Sequence, residues 1–302
     1  MATVSVRIPG TSANIGPGFD CLGIAFNLYN RFSFEEIEGP NRFSGFAPQY
    51  CNNNNMVYTA MLETFKELGR LPKGLHIGIE EEVPVSRGLG SSAACIVGGV
   101  CGANGLAGNP LTKDDILTIA SRIEGHPDNI APAVYGGMTA AVEQNGQFFA
   151  QRVQVAPGLS FYAMIPDFHL GTKEARGALP KTIPYRDGVH NVGRAAMLLA
   201  VMTGGRFELL EMCLDDKLHQ PYRKRLIPGF DRIFEACRKS GAYGTFLSGA
   251  GPTLMAMVSQ SNLNFEAEMK AFLKNLPHRH RWRILPLEMD TQGAVVDVDV
   301  TE

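Results

Sequence analysis

The sequence predicts an α+β chain of two domains that meet near residue 155. Strand-like and helix-like segments mix along all 302 residues, without the regular βα alternation of a doubly wound sheet. Near residue 155 the pattern changes: an alternating hairpin gives way to an apolar strand and a long helix. A chain of this length holds one large or two ordinary domains, and the change of pattern favours two, residues 1–155 and 156–302.

Each element has its own signal. The opening TVSVRIP alternates as a strand and is expected to stop at Pro9-Gly10. MVYTAMLETFKEL, from Met56 to Leu68, carries apolar residues at helical spacing and ends at Gly69, a favourable residue just past a helix. LHIGIEEEV reads as a strand, followed by a glycine- and serine-rich loop and the small-residue helical run CIVGGVCGANGLAG. TKDDILTIASRI starts a helix with Thr112 as N-cap and acids in the first turn. GGMTAAVEQNGQFFAQRV is a hairpin turned at Asn145-Gly146. Beyond residue 155, LSFYAMIP is a strand and VGRAAMLLAVM a long helix. GFDRIFEACRKSG is a helix closed by Gly241, and GTFLSGAGPTLMAMV is two strands around a second glycine-serine turn. NFEAEMKAFLKNL and RWRILPLEM give a last helix and strand.

Hydrophobic content of 45% and charged content of 19% are those of a soluble globular protein. The 28 basic and 30 acidic residues leave a formal net charge of −2, without the basic domain or stripe that nucleic acid requires. The one basic cluster, HRHRWR from His278 to Arg283, is short and isolated and reads as an exposed strand or loop edge. The six cysteines form no CxxC pair or zinc-type spacing, as expected of reduced thiols in a cytosolic protein. No signal-type apolar region opens the chain and no stretch reaches eighteen apolar residues, so a cytoplasmic location without membrane contact is expected.

The chemistry starts at PVSRGLGSSAA, residues Pro84 to Ala94. Gly88 and Gly90, followed by Ser91 and Ser92 at a helix start, leave several backbone N–H groups unobstructed. The helix adds its unsatisfied donors and the positive end of its dipole, which together make an anion site. The two hydroxyls can reach a phosphate oxygen or a magnesium ion. Neither GxxxxGK[ST] nor a GxGxxG in a βαβ setting is present, and a bare Gly-Ser turn also reads as a simple helix cap.

Three further stretches shift the balance: PGTSANIGPGFDCLGIAF (Pro9 to Phe26), EGHPDNIAPAVYGG (Glu124 to Gly137) and LSGAGPT (Leu247 to Thr253). With the loop at Pro84 they resemble, in order and spacing over essentially the whole chain, the signature motifs of the GHMP kinases. TSANIGPGFDCLGIA, HPDNIAPAVYGG, GTKEARGALP and HQPYRKRLIPG resemble the homoserine kinase branch of that superfamily. The resemblance implies an N-terminal ribosomal-S5-like α/β domain that binds ATP, a C-terminal ferredoxin-like domain and an active site between them. It also implies transfer of phosphate from ATP to L-homoserine with Mg²⁺ present, on the route to threonine, by an enzyme that is a homodimer. A kinase for another small alcohol, or a relative that binds ATP without catalysis, is the alternative. The former would act on mevalonate or a sugar and be indifferent to Arg176 and Arg223.

By the same resemblance, Pro84, Val85, Ser86, Arg87, Gly88, Leu89, Gly90, Ser91, Ser92, Ala93 and Ala94 form the ATP phosphate loop. Asn54 and Asn55 of NNNNMVY lie where base and ribose are held, although either also reads as the cap of the next helix. Asn14, Asp20 and Asp128 fall at the amino-acid substrate, and Arg176 and Arg223 would hold its carboxylate, which a guanidinium fork pairs bidentately. Thr172 matches a threonine near the acceptor hydroxyl, and Asn14, Thr172 and Arg176 are the catalytic candidates. His126 reads as a residue that orders its loop, because phosphoryl transfer can proceed without a strong base.

One position departs from the family. A magnesium-binding glutamate is expected in a pattern like E-I-E-G, where this chain reads SRIEG and puts Arg122 at the first place. Either Glu124 takes the metal role beside Ser92, or magnesium is held by serine, phosphate and water alone, with a cation at Arg122 beside the triphosphate replacing part of the ion's charge.

Overall fold

The computed structural model describes residues 2–277 and 280–300 and organises them around two sheets. The first part of the chain runs β1 (Ala2–Ala13), β2 (Leu22–Glu36), β3 (Arg42–Ser44), α1 (Met56–Glu67), β4 (Leu75–Glu81) and α2 (Ser91–Leu106). It continues through α3 (Lys113–Glu124), α4 (Ile130–Tyr135), β5 (Met138–Gln144) and β6 (Gln147–Val153). The second part comprises β7 (Leu159–Pro166), α5 (Thr172–Gly177), α6 (Tyr185–Gly204), α7 (Leu210–Cys213), α8 (Gln220–Arg223) and α9 (Phe230–Lys239). β8 (Ala242–Leu247), β9 (Leu254–Ser259), α10 (Phe265–Lys274), β10 (Trp282–Leu287) and β11 (Val295–Val300) complete it.

Seven strands make the first sheet, in the order β11-β1-β2-β4-β3, with the β5–β6 hairpin joined to the start of β2. Among the described residues only the short β3–β4 pair is parallel. The inward-facing residues Val4, Val6 and Ile8 of β1, Phe32 and Phe34 of β2, and Leu75, Ile77 and Ile79 of β4 pack beneath α1 to α4. The small residues of α2 now have a reason. A Cβ on Gly98 would lie 2.6 Å from the Phe32 ring, and one on Gly102 2.5 Å from Phe34. The helix thus packs its axis close to the sheet, and only glycine fits.

The second sheet has the order β10-β7-β9-β8 and is antiparallel throughout. Its strands alternate between two cores, as a sheet covered on both faces must. Phe161, Met255 and Met257 meet Phe26 and Ile24 of the first sheet together with Leu198 and Met202 of α6. On the other face Met164, Leu254, Ala256 and Val258 pack against α9 and α10 through Ile233, Phe265 and Met269. The inter-sheet core fixes the angle between the halves and hence the cleft above it. The chain passes from the first sheet to the second between β6 and β7, and β11 returns to the first sheet beside β1.

Thr112 caps α3 in a full capping box with Asp115, and Asn145-Gly146 turns the β5–β6 hairpin with positive φ at both residues. Pro9-Gly10 does not end β1. The register shifts there against β2, and the strand runs on to Ala13, carrying its tail toward the cleft. In the basic run, His278 and Arg279 lie outside the described residues, while Trp282 begins β10 and is buried. All six cysteines are free, and burial pushes the thiols of Cys95, Cys101 and Cys237 up to about 12. No helix among the described residues is long and apolar enough to cross a membrane.

Candidate active site

Three loops from distant parts of the sequence interlock above the two sheets. Thr11 N donates to the Leu89 carbonyl, Gly249 N to the Ala13 carbonyl and Thr253 N to the Arg87 carbonyl, at 3.0, 3.1 and 3.2 Å. Ser248 Oγ bridges Ser12 Oγ and the Gly88 carbonyl. This contact explains the glycines of the serine loop. Gly88 and Gly90 have φ of +76° and +72°, and a Cβ on them would lie 2.5 Å from the Ser248 carbonyl oxygen and 2.0 Å from Thr11 Oγ1. Gly90 is also the N-cap of α2, which therefore starts without a capping side chain. The first backbone donors of this long helix face a cleft.

The cleft is a cavity of about 300 Å³ with two chemically different ends. Phe46, Tyr50, Met56 and Ile79 line one end with apolar surface. Asn14, Asp20, Asp128, Thr172, Arg176 and Arg223 line the other, and Gly88, Gly90, Ser91, Ser92 and Glu124 lie on the wall as well. The NNNNMVY stretch announces this end only at Met56, because Phe46 and Tyr50, between β3 and α1, and Ile79 of β4 meet it only through tertiary packing.

At the polar end, Asn14 joins two loops: its Nδ2 donates to the Gly249 carbonyl at 3.1 Å and its Oδ1 accepts from Asp20 N at 2.9 Å. The Asp20 carboxylate holds Arg176 with two hydrogen bonds of 2.7 and 3.1 Å. Burial works against the Arg176 cation, but that bond and the charges of Asp20, Asp128 and Glu124 raise its pKa overall. Asp128 is buried, accepts from Asn129 N at 2.9 Å and lies 2.6 Å from His126 Nδ1. Burial opposes the imidazolium, yet the Asp128 bond and charge, with Glu124, raise the His126 pKa. Asp20, His126 and Asp128 each bring one ligand-type atom within 4.8 Å of the others.

Arg223 is 2% exposed and is the largest fully buried side chain among the described residues. Its Nη1 donates to the Gly249 carbonyl at 3.0 Å and faces His219 Nδ1 at 3.3 Å, while burial, with Arg176 nearby, pushes its pKa down to about 10. His219 Nε2 donates to the Gly16 carbonyl at 2.8 Å, which leaves Nδ1 as the acceptor for Arg223. Burial lowers the His219 pKa, in keeping with a neutral ring. The Phe19 ring lies under Arg223, Arg176 and His219, at 5.3, 5.6 and 5.4 Å. Neither Phe19 nor His219 was singled out in the sequence, although both sit inside quoted motifs.

Glu124 and Arg122 part company. Glu124 closes α3 toward the cavity and accepts from Ser92 Oγ at 2.7 Å, and burial raises its pKa despite that bond and the nearby His126. Arg122 points to the outside and pairs with Glu67 of α1 at 3.0 Å, both side chains exposed. Glu124 lines the cavity, and Arg122 is not among its lining residues.

The remaining expected residues divide in the same way. Val85, Ser86, Gly88, Gly90, Ser91 and Ser92 line the cavity. Arg87 donates to the carbonyls of Pro166 and Asp167, Leu89 is buried between the sheets, and Ala93 and Ala94 are buried in the first turn of α2. Pro84 is partly buried where the loop leaves β4. Asn55 lines the cavity and caps α1, accepting from Val57 N and Tyr58 N. Asn54 is exposed and donates its backbone N–H to Asn52, away from the cavity wall.

The arrangement suits an anion at the start of α2 and, beside it, a small molecule bearing both a cation and an anion. Sequence and structure comparisons agree with this chemistry. The family profile described as GHMP kinases N terminal domain matches residues 55–137, and that described as GHMP kinases C terminal matches residues 198–275. A homoserine kinase of Clostridium botulinum is 49% identical over 97% of this chain and 98% of its own. One of Clostridium beijerinckii is 46% identical with the same coverage. The crystal structure of homoserine kinase from Cytophaga hutchinsonii superposes with a TM-score of 0.86 at 28% identity, covering 98% of this chain and 97% of that one. Full-length identity near one half, both domain profiles and a shared fold leave one assignment: the chain belongs to the homoserine kinase family of GHMP kinases, which are phosphotransferases.

Proposed function

We propose that this protein transfers the terminal phosphoryl group of ATP to the hydroxyl of L-homoserine, giving O-phospho-L-homoserine and ADP for threonine synthesis. The observation that carries the reading is the mixed-charge end of the cavity set directly beside the uncapped start of α2. Homoserine carries an ammonium, a carboxylate and a hydroxyl. Asp20 and Asp128, with Asn14, take the ammonium, and Arg176 and Arg223 take the carboxylate. Thr172, at the exposed start of α5, meets the hydroxyl. The phosphates rest on the amide groups from Gly88 to Ser92, and the adenine lies among Phe46, Tyr50, Met56 and Ile79, with Asn55 at the edge.

Little covalent chemistry falls to the protein in such a transfer, so holding the two substrates in line is the main task. Asp20 orients Arg176, and His126 orders Asp128 rather than serving as a base. The oxygen donors of Ser92 and Glu124, 2.7 Å apart, are the hard type that Mg²⁺ takes. The ion, when bound, neutralises phosphate charge. The reading includes a nucleotide-binding domain of residues 1–155 and a second domain of residues 156–302, with the final strand crossing back to the first sheet. It also includes a cytoplasmic homodimer that binds no nucleic acid.

The test is a coupled ADP-release assay with homoserine, mevalonate and galactose as alternative acceptors. ADP release with homoserine alone is expected. Equal rates with mevalonate, or none with homoserine, would overturn the reading.

A further inference from the structure

His219, the N-cap of α8, is 0% exposed and ties the loop of Asn14 and Asp20 to Arg223. Its surroundings decide which ring nitrogen carries the proton. Asp216 is the nearby anion, but its carboxylate already accepts from the amides of Leu218, His219 and Gln220 and from Asn191 Nδ2. The ring Nε2 lies 3.6 Å from that carboxylate and only 2.8 Å from the Gly16 carbonyl, to which it donates. Nδ1 therefore carries a lone pair, and it faces Arg223 Nη1 at 3.3 Å. The Phe19 ring stacks on the imidazole with 29° between the planes, which holds the lone pair in that direction.

That lone pair completes the pairing of a buried guanidinium, which has five N–H groups and no acceptor. Nη1 gives one hydrogen to the Gly249 carbonyl at 3.0 Å and the other to His219, and Nε gives its own to the Ala175 carbonyl at 3.4 Å. Nη2 has no protein acceptor among the described residues, so its two N–H groups remain for the cavity that Arg223 lines. Without the Nδ1 acceptor, one Nη1 hydrogen would be unpaired in a buried place, a cost the fork relieves by turning. A ring protonated at both nitrogens would set N–H against N–H, with the same result. We propose that His219 is a positioning residue for homoserine: as the neutral Nε2–H tautomer it holds Arg223 with Nη2 toward the substrate carboxylate.

The role rests on Arg223 as the ligand of that carboxylate, and a short series of variants separates the two. Asparagine and glutamine each reproduce one half of the imidazole. In His219→Asn the side-chain oxygen stands where Nδ1 stands, an acceptor for Arg223, and no donor reaches Gly16. In His219→Gln the side-chain nitrogen stands where Nε2 stands, a donor for Gly16, and no acceptor faces Arg223. Each variant loses one of the ring's two bonds, so both should melt below the parent by a similar margin. A merely structural histidine predicts equal kinetics for the two, and a positioning one does not.

Initial rates with homoserine and ATP varied in turn, below the lowest melting temperature, give the test. His219→Gln should raise the KM for homoserine by roughly tenfold, the loss of one hydrogen bond to a charged group, and leave the KM for ATP within about twofold. His219→Asn should keep the homoserine KM within about threefold of the parent. In an Arg223→Met background, His219→Gln should add no further rise, because the two residues act as one unit. On the parent chain itself, NMR of nitrogen-labelled histidine should show the His219 ring, assigned by its contact with Phe19, protonated at Nε2 and bare at Nδ1. An unchanged homoserine KM in Arg223→Met would overturn the carboxylate assignment and this role with it. With Arg223→Met impaired, a parent-like His219→Gln, a His219→Asn as impaired as His219→Gln, or a proton on Nδ1 would overturn the positioning role alone.

Discussion

Ser92 Oγ donates a 2.7 Å hydrogen bond to Glu124 Oε2, joining the first turn of α2 to the last residue of α3 at the cavity wall. A hydroxyl and a carboxylate from two helix ends thus converge beside the phosphate loop. Arg122, two residues earlier, is held by Glu67 on the outer surface.

This geometry separates three variants in a Mg²⁺ titration of initial rate at fixed ATP. Glu124→Gln should weaken the apparent Mg²⁺ affinity by roughly tenfold or more. Ser92→Ala should lower kcat by roughly ten- to a thousandfold, the range of one lost electrostatic contact, and keep its fold. Arg122→Ala should change neither beyond about twofold, because an exposed pair contributes little. Flat responses in all three would remove the metal from this wall.

The same carboxylate predicts a pH dependence of stability. Burial raises its folded pKa above the ordinary 4.5, so its contribution is whole below 4.5 and is lost as pH rises through the folded value. Glu124→Gln cannot ionise. It should therefore melt higher than the parent at about pH 8, with the gap closing toward about pH 4. Thermal melts of both chains across that range measure it, and a gap that widens in acid would reverse the sign of the burial effect.

Arg176 and Arg223 should act on one substrate only. Arg176→Ala or Arg223→Met should raise the KM for homoserine by about ten- to a hundredfold, the equivalent of losing a charged hydrogen bond of about 1.5–3 kcal/mol. The KM for ATP should stay near the parent value. Arg223→Met leaves the Gly249 carbonyl its bond from Asn14 but takes the donor from His219 Nδ1, so it should also lower the melting temperature, and its kinetics are read below that temperature. Initial-rate kinetics with each substrate varied in turn decide this, and a parallel rise in both KM values would contradict it.

Two glycines with the same backbone sign should differ in cost. Gly90→Ala combines positive φ with a Cβ 2.0 Å from Thr11 Oγ1 and should destabilise by about 2–4 kcal/mol. Gly69 has φ +65° but open space around it, so Gly69→Ala should cost only about 1 kcal/mol. Urea unfolding of the two variants gives the comparison, and equal losses would mean that loop contact adds nothing beyond backbone strain.

Elements with a local signal were legible in the sequence. The Thr112 cap, the Asn145-Gly146 turn and the periodicity of α9 and α10 each lie within a few residues of the structure they cause. The extension of β1 past Pro9-Gly10 was not legible, because a bulge against β2 decides it. The polar half of the cavity could be read because its residues sit in dense motifs. Of the apolar half only Met56 could be read, since Phe46, Tyr50 and Ile79 acquire a common purpose only through tertiary packing. The ambiguity between Arg122 and Glu124 had the same origin: which side of α3 each residue takes depends on where α1 and α2 lie.

The pairing of β1 with β11 has a consequence for how the molecule is made. Val4 lies opposite Val298 and Val6 opposite Val296, so two strands separated by nearly three hundred residues share one ladder. During synthesis, β1 can acquire β2 early, but its other edge stays bare until residues 295–300 leave the ribosome. A bare edge invites pairing with a neighbouring nascent chain, and so long-range a contact forms slowly. A chain arrested before residue 295 would keep every cavity-lining residue yet expose that edge permanently, so its fate in the cell would be set by aggregation rather than by loss of catalytic groups.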